Sequence, residues 1–579
     1  MKIGSRLNWL TLGTLLGIIA MVAAACGGGS SSTPTAAPTQ PVTQAPTAIA
    51  TPRPTPTPVP PSPTPTPEQP RTGGILRWAM PRDLPGTLDM HLVRDANLWQ
   101  VMPPALNWLI NTSSAKGLLP DLATQWSTSQ DGKTLTMKLV GNAKWHDGPA
   151  VTADDVVASI QRLAFGDEGA KGPYRSNFSR LQTVTAPDPT TVQFTLLQPS
   201  ASFLAFLGTI GVAIYPKAHP VVTYKPASPA SLVGSGPFVM KTIESGIKTT
   251  LARNPNYFKK DDAGRQLPYL DGLEIYVIPD AATQYNLFKL GQIDMTSPAE
   301  PDALAPHYGD VAKDIPGTQF LLPHFPVVFM AINADVAPWS NVQVRQALSL
   351  ALDRQAFMTA LNEGRGVIRG FSTPGTQFAV PDKELSTWPG YNPTTKKQDI
   401  EKAKQLLQAA GVTVAQLKTA VPVRDIYQKS AEIAVALLKE ALGVDWTIDV
   451  VDTARGAQAQ SDRLFNVTIG QTAGAMPDPS AEMDPFVRTK GSLNYGRFTD
   501  PAVDASLDEL DRTLDSAKRI DLSRGLEKDL LVNKAWWIIA GSNPRGMGWR
   551  SWVKNFPTYQ INQEIEYRRA EAIWMTPRG

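Results

Sequence analysis

The segment KWHDGPAVTADDVV at residues 144–157 contains a turn followed by the start of a helix. Thr152 with Asp155 three residues later has the pattern of a helix N-cap, in which each side chain bonds the other residue's backbone. The apolar positions that follow, including Ile160 and Leu163, share one helical face. We therefore expect a helix from about residue 153, whose first carboxylates begin the helix rather than act as catalysts.

The segments around this helix alternate between strand and helix patterns. Residues 135–140 and 191–196 alternate apolar and polar side chains, as strands with one covered face do. Further along, helical spacing or strand-like composition predicts four more elements, which are a helix over 341–363, a helix over 397–410, a helix over 426–442 and a strand over 446–451. Such alternation is typical of α/β layers.

The composition of the chain argues against several classes of function. Its 579 residues carry a formal net charge of +3 and are 42% hydrophobic, enough for two to four folding units. The near balance of 55 basic and 52 acidic residues argues against a nucleic-acid partner. One cysteine excludes a disulfide framework, and five scattered histidines argue against a metal site. We predict no cofactor.

The amino terminus has the order of a secretory signal peptide. Lys2 and Arg6 precede an uncharged run at 7–25, which ends in three alanines and Cys26. This arrangement resembles a bacterial lipoprotein signal, so residues 1–25 are the predicted signal peptide and Cys26 the predicted lipidation site. An uncleaved membrane anchor is the alternative. Residues 26–70 are rich in Thr and Pro and predict a disordered tether.

Many further motifs share one order with a known family. The chain resembles the family 5 extracellular solute-binding proteins, the dipeptide/oligopeptide-binding type that serves ABC importers. The motifs that carry the resemblance are GGIL (73–76), TLD (87–89), LPDLA (119–123), DGKTL (131–135), KWHDG (144–148), VTADDV (151–156), GSGPF (234–238), RNPNYF (253–258), LPYLD (267–271), GQID (291–294), VQVRQA (342–347), DR (353–354) and PDP (477–479).

The resemblance implies a two-lobed α/β fold of the periplasmic-binding-protein type (class II, with an extra subdomain) and a hinge between the lobes. The implied boundaries are 73–115, 233–325 and 546–579 for lobe I, 116–232 for its subdomain, and 326–545 for lobe II. It also implies a monomer in the cell envelope. That monomer would capture a peptide, sugar or small anion and deliver it to an ABC permease, without catalysis.

The family's pocket pattern is incomplete in this chain. By the resemblance, Arg94, Asp95 and Ala96 follow TLD near the ligand. Peptide-binding members usually have a tryptophan and, three residues later, an aspartate that pairs with the peptide amino terminus. Thr472 and Ala475 stand at those positions. Because a buried ammonium without an anionic partner costs several kcal/mol, this departure argues against recognition of a free amino terminus.

Other predicted pocket residues have a structural alternative. Arg455 falls where many peptide binders place an aromatic residue, and with Arg94 it would favour a carboxylate, phosphate or hydroxyl-rich ligand. Both arginines are equally compatible with exposed surface positions. Tyr174 and Phe178 in the subdomain, and Tyr495 after the Asp-Pro pair, are predicted pocket walls. Their alternative is a place in the hydrophobic core.

Two other functions compete with transport. A secreted hydrolase would use paired carboxylates such as Asp478, Glu482 and Asp484, although spacings of four and two residues do not bring them reliably to one bond. A receptor that signals to a membrane sensor is the third possibility. His146 is expected to be a turn residue rather than a general base, and Gly234 to permit a sharp turn through positive φ.

Overall fold

The computed structural model describes residues 68–93, 95–113, 117–167, 172–219, 231–297, 304, 307, 309–321, 326–472, 478–491, 493–544, 546–556 and 570–578. The predicted signal peptide, Cys26 and nearly all of the predicted tether lie outside these residues. Within them, no helix has the length and apolar character needed to cross a membrane.

The strands of the described chain occur both in consecutive runs and separated by helices. They are β1 (Ile75–Met80), β2 (Ile110–Ser113), β3 (Gly117–Pro120), β4 (Ala123–Thr128), β5 (Thr134–Leu139), β6 (Leu181–Asp188), β7 (Thr191–Leu196), β8 (Phe238–Glu244), β9 (Lys248–Arg253), β10 (Gly272–Val277), β11 (Gln319–Leu321), β12 (Val327–Ile332), β13 (Thr419–Arg424), β14 (Trp446–Val451), β15 (Val467–Thr472), β16 (Trp537–Ser542), β17 (Met547–Trp549), β18 (Val553–Lys554) and β19 (Trp574–Met575).

The α-helices of the described residues range in length from four residues to 15. They are α1 (Leu98–Val101), α2 (Ala153–Ala164), α3 (Phe203–Phe206), α4 (Ala281–Lys289), α5 (Val311–Asp314), α6 (Val342–Ala351), α7 (Arg354–Asn362), α8 (Asp382–Leu385), α9 (Lys396–Ala409), α10 (Gln428–Leu442), α11 (Thr453–Asp462), α12 (Pro479–Val487), α13 (Pro501–Arg512) and α14 (Ser516–Lys528).

The first lobe is built on a sheet whose strands are distant in sequence. Its order is β1-β10-β9-β8, with β1 parallel to β10 and the other pairs antiparallel. The core beneath it joins Trp78, Leu273 and Trp549, which come from three separate parts of the chain. Arg578 links the last described segment to this lobe, because its guanidinium donates to Asp294 at 2.9 Å.

A smaller domain contains the KWHDGPAVTADDVV segment at residues 144–157. Four antiparallel strands in the order β4-β5-β7-β6 pack against α2, with Val156, Ile160 and Phe194 in the core. The predicted capping box is present, since the Thr152 and Asp155 side chains each bond the other residue's backbone. The helix prediction is therefore confirmed. We call this part, residues 117–219 of the described chain, the small domain.

The second lobe surrounds β12, whose six residues are all buried. Strands β15 and β16 flank it, both antiparallel. A continuous apolar strand is typical of a sheet covered on both faces, and here α6, α7 and α10 contribute to one core, while Trp537 lies in the other. We call residues 326–542 of the described chain the second lobe.

One predicted helix of the second lobe is two helices. The pattern over 341–363 predicted a single element, but α6 ends at Ala351 and α7 begins at Arg354. Leu352 is extended, and the Asp353 side chain accepts a hydrogen bond from the Ala356 N–H. An aspartate at this position starts a new helix because it satisfies an N–H that has no partner within the helix.

The GSGPF motif has a different physical basis from the one predicted. Gly234 and Gly236 are not among the residues with positive φ. Instead, a Cβ on Gly234 would lie 1.8 Å from the carbonyl oxygen of Ala105. The prediction that Gly234 permits a turn through positive φ is therefore wrong, because what requires glycine here is the close approach of two backbone segments.

His146 stabilises this backbone contact. Its Nε2 donates to the Gly236 carbonyl at 3.0 Å, and the Gly234 N–H donates to Nδ1 at 3.3 Å. Burial lowers the pKa of His146 to about 4, so the ring is neutral at pH 7. These contacts agree with the expected structural role rather than with a general base.

Candidate functional site

Four strands of the second lobe end at one edge. Strands β15 and β16 run the same way because both are antiparallel to β12. The Asn466 Nδ2 donates to the Thr419 Oγ1 at 3.2 Å and the Thr468 Oγ1 donates to the Pro422 carbonyl at 2.8 Å, so β13 runs parallel to β15, and β14 is parallel to β13. The chain enters β12 and leaves β16 at this same edge, where it passes to and from the first lobe. In α/β sheets, ligands bind outside the carboxyl ends of strands, so this edge is the expected binding face.

A cavity of about 450 Å³ lies between the small domain and the second lobe, close to the start of α12. Both sides contribute mainly polar side chains. The lining residues of the small domain are Asn177, Ser179, Arg180, Gln198, Ser200, Ser202 and Phe206. The lining residues of the second lobe include Ser480, Ala481, Asp484, Arg488, Lys490, Asp508 and Asp511. The volume and the mixture of polar groups suit a small polar solute.

Ion pairs line this cavity. Arg180 of the small domain donates to Asp508 at 2.9 Å and lies 2.5 Å from the Asp511 carboxylate. On the other side, Arg488 bridges Asp484 at 2.7 Å and Asp508 at 3.0 Å. Burial would raise the pKa of Asp508, but Arg488 and Arg180 outweigh it and the pKa is lowered. Burial raises the pKa of Asp484 in spite of its own pairing with Arg488.

The residues predicted after TLD form a helix start. The Asp95 carboxylate accepts from the N–H groups of Asn97 and Leu98, both at 2.9 Å, and the Ala96 carbonyl accepts from Gln100 at 3.1 Å. Asp95 and Ala96 are half-buried, whereas Arg94 lies outside the described residues. Because the Asp95 carboxylate already holds this turn, a role toward a ligand would be additional to a local one.

The three predicted pocket aromatics pack in hydrophobic cores. Tyr174 and Phe178 are each 2% exposed in the core of the small domain, and a Cβ on Gly211 would lie 2.1 Å from the Tyr174 ring. Tyr495 is partly buried against Phe329 of the second lobe, with ring centroids 6.3 Å apart. These positions favour the structural alternative that the sequence left open.

The remaining predicted residues lie at the binding edge or beyond the described chain. Thr472 is half-buried at the end of β15, and Ala475 falls among residues that the structure does not describe. Arg455 is exposed in the first turn of α11, directly after β14, where Asp452 caps the helix by accepting from the Arg455 N–H at 2.9 Å. Thr472 and Arg455 thus share the edge at which a ligand is expected.

The three carboxylates of the alternative hydrolase have separate partners. Asp478 forms a bidentate pair with Arg519 at 2.8 and 2.9 Å. Glu482 accepts from the Thr373 N–H at 3.1 Å, and Asp484 pairs with Arg488 four residues later. Each acid therefore stabilises a different contact, and the structure offers no support for a paired acid and base among them.

Burial of Glu482 makes a pH-dependent contribution to stability. Burial raises the pKa of Glu482 to about 8 despite Arg369 and the Thr373 hydrogen bonds. Because the pKa of Glu482 is higher in the folded than in the unfolded state, the protonated carboxyl group adds to the free energy of unfolding. This contribution is complete below about pH 4.5 and is lost as the pH rises toward 8. We expect Glu482→Gln, which cannot ionise, to unfold at the same urea concentration as wild type at pH 5 and to be more stable by roughly 2–4 kcal/mol at pH 9.

Glu432→Gln is the matched control, because Glu432 is exposed on α10. Urea unfolding of the three proteins at pH 5, 7 and 9 gives the comparison. Equal pH profiles for wild type and Glu482→Gln would show that Glu482 is ionised in the folded protein without cost.

Apart from Asp484, the sequence did not single out the charged residues of the cavity. Asp508 and Asp511 lie on α13 beside Leu507 and Leu510, which form its buried stripe, so they have the pattern of a solvated helix face. Their partner Arg180 is more than 300 residues away. No local spacing connects these positions, and only the packing of the two lobes brings them together.

A cavity between two domains is typical of proteins that bind a small solute. The family model for bacterial extracellular solute-binding proteins, family 5, matches residues 117–494. Heme-binding protein A of Haemophilus influenzae is 30% identical over 450 residues, which cover 72% of this chain and 78% of that protein. The periplasmic oligopeptide-binding protein OppA of Salmonella typhimurium is 28% identical over 450 residues, 72% and 79% of the two chains.

A solved structure supports the same fold. The murein tripeptide binding protein MppA of Escherichia coli matches with a TM-score of 0.71 at 22% identity, over 87% of this chain and 98% of that chain. The chain belongs to the family 5 bacterial extracellular solute-binding proteins. It is thus a solute-binding protein of the class that serves ABC peptide importers, and at the level of the family its role is binding rather than catalysis.

Proposed function

We propose that this protein is a lipid-anchored receptor on the outer face of the cell envelope, which captures a peptide or another small solute and delivers it to an ABC permease. The cavity between the small domain and the second lobe carries this proposal, because the small domain and the second lobe both contribute polar groups to it. A solute bound there gains all of its contacts only when the lobes are together, so it favours closure.

The proposal includes the arrangement of the chain. Lobe I comprises 73–115, 233–325 and 546–579, its subdomain 116–232, and lobe II 326–545. The three chain segments that share the core around Trp78 support the discontinuous lobe. Residues 1–25 are the signal peptide, Cys26 carries the lipid, and residues 26–70 are the tether. The protein acts as a monomer, without a cofactor or a metal.

The proposed ligand-binding residues depart from the pattern that peptide-binding members of the family usually have. Ala475 replaces the aspartate that pairs with a peptide amino terminus, while Arg94 and Arg455 favour a carboxylate, phosphate or hydroxyl-rich group. Thr472, Asp95 and Ala96 complete the proposed site, and neither these three residues nor Arg455 are among those that line the cavity of about 450 Å³. Arg455 and Thr472 at the binding edge support this placement.

Thermal-shift screening identifies the ligand class. The full chain is mixed with tripeptides that have free or acetylated amino termini, with sugars, with phosphate and citrate, and with hemin, since one relative is named as a heme-binding protein. The true class raises the melting temperature, and we expect acetylation to have little effect on a peptide that binds. Conversion of any bound compound would overturn the transport role.

Three variants test the site and the anchor. Arg94→Ala and Arg455→Ala should each weaken binding of the identified solute about tenfold or more, with the unliganded melting temperature unchanged. Unaltered affinity in both would discard the arginine placement. Cys26→Ser should release the protein from membranes, and continued attachment would favour the uncleaved anchor.

A further inference from the structure

The small domain and the second lobe are joined by an ion cluster whose members come from opposite sides of the cavity. Arg180 precedes β6 in the small domain, while Asp508 and Asp511 lie in the last turns of α13 in the second lobe. The guanidinium reaches both carboxylates, at 2.9 Å and 2.5 Å. Each bond is charge-assisted, which is the strong kind of hydrogen bond.

Asp511 is held by the small domain from a second direction. Its Oδ1 accepts from the Ser202 N–H at 3.1 Å, the Ser202 hydroxyl at 2.6 Å and the Ser200 hydroxyl at 3.1 Å. Its carbonyl accepts from the Ala201 N–H at 2.7 Å. Asp511 is 4% exposed, so this residue of the second lobe is enclosed by donors of the small domain.

Apolar contacts border the same junction. Phe206 of α3 packs against Ala481 of α12, and a Cβ on Gly132 would lie 3.3 Å from the Leu514 side chain. The lobes therefore meet through direct protein contacts beside the cavity. Every bond described here forms between protein groups, so its free energy is available to closure before any solute is bound.

We propose that Arg180, together with Asp508 and Asp511, is a latch that keeps a measurable fraction of the molecules closed in the absence of solute. The proposal deepens the proposed function, since it concerns closure of the same cleft. A ligand's apparent dissociation constant is its intrinsic constant divided by the fraction of protein that is competent to bind. The closed state is the competent state in this proposal, so Arg180 is a positioning residue that scales the affinity for every solute by the same factor.

Distance measurements between two spin labels test the latch without any ligand. Labels are placed at Gln182→Cys on β6 and Lys439→Cys on α10, both exposed positions on opposite sides of the cleft. The full chain carries Cys26→Ser, so that only the introduced thiols react. We expect a short-distance population in the otherwise wild-type protein. In Arg180→Gln, the ratio of short to long distances should fall about tenfold.

Matched variants separate the latch from other effects. Ser202→Ala should lower the ratio less than Arg180→Gln does, because Asp511 keeps its other donors. Arg497→Gln removes an Arg–Asp pair of 3.3 Å that lies wholly within the second lobe, and it should leave the ratio unchanged. Absence of a short-distance population, or the same distribution in Arg180→Gln as in wild type, would overturn the proposal. Neither result depends on the solute screen, so this failure is distinct from failure of the transport role.

Discussion

Replacing Arg519 with methionine is expected to lower the free energy of unfolding of the second lobe by about 3–5 kcal/mol. Arg519 is buried, and its guanidinium binds both oxygens of the buried Asp478 carboxylate at 2.8 and 2.9 Å. It also donates to the Ser480 hydroxyl at 3.1 Å and the Leu510 carbonyl at 3.1 Å. Methionine fills similar space but leaves Asp478 as a buried charge without its cation, and that loss is the main cost.

Urea unfolding at pH 7, followed by tryptophan fluorescence, measures the change. Arg497→Met is the control, because Arg497 pairs with Asp335 at the surface and such exposed pairs contribute about 1 kcal/mol or less. Adding Asp478→Asn to Arg519→Met should recover part of the loss, since the amide carries no charge. A loss below 1 kcal/mol in Arg519→Met would show that water reaches Asp478.

Gly234→Ala has the second large expected effect, a loss of about 3 kcal/mol or more. The added Cβ would lie 1.8 Å from the carbonyl oxygen of Ala105 and 3.1 Å from the His146 ring. Ala105 is fully buried in the first-lobe core, and a backbone atom there cannot move aside as a flexible side chain does. The variant must displace the turn that carries Gly234 or the segment that carries Ala105.

Gly525→Ala provides the comparison within the same chain. Gly525 lies inside α14 and a Cβ there would contact nothing within 4 Å. Alanine is the better helix former, so this variant should gain about 0.5–1 kcal/mol. Thermal and urea unfolding of both variants give the result, and a Gly234→Ala protein as stable as wild type would mean that the two backbones are not in close contact.

The fold was largely predictable because its elements are encoded locally. The strand at residues 446–451 has the predicted bounds, and the capping box at Thr152 is formed as expected. The predicted helix over 341–363 failed at Asp353, where an N-cap inside a long apolar pattern divides it. The prediction for Gly234 failed for another reason. Ala105, which Gly234 contacts in the fold, is 129 positions away in the sequence, and no local pattern reveals such a backbone contact.

The candidate site was less predictable, since it depends on how the lobes meet. The position of Arg455 and Thr472 at the ends of parallel strands follows from strand order. The cluster of Arg180, Asp508 and Asp511 follows from no sequence pattern. Tyr174 and Phe178 show the converse, because an aromatic residue in a suitable segment has the same sequence pattern whether it covers a ligand or fills a core.

The way in which the first lobe is assembled sets it apart from the small domain and the second lobe. Its core needs Trp78 from near the amino terminus and Trp549 from near the carboxyl terminus, and Arg578 bonds Asp294 and the Ile75 carbonyl. The first lobe is therefore complete only when the segments around residues 78, 549 and 578 are all present. The small domain and the second lobe each draw their cores from one continuous stretch of the chain, so they do not depend on this late segment.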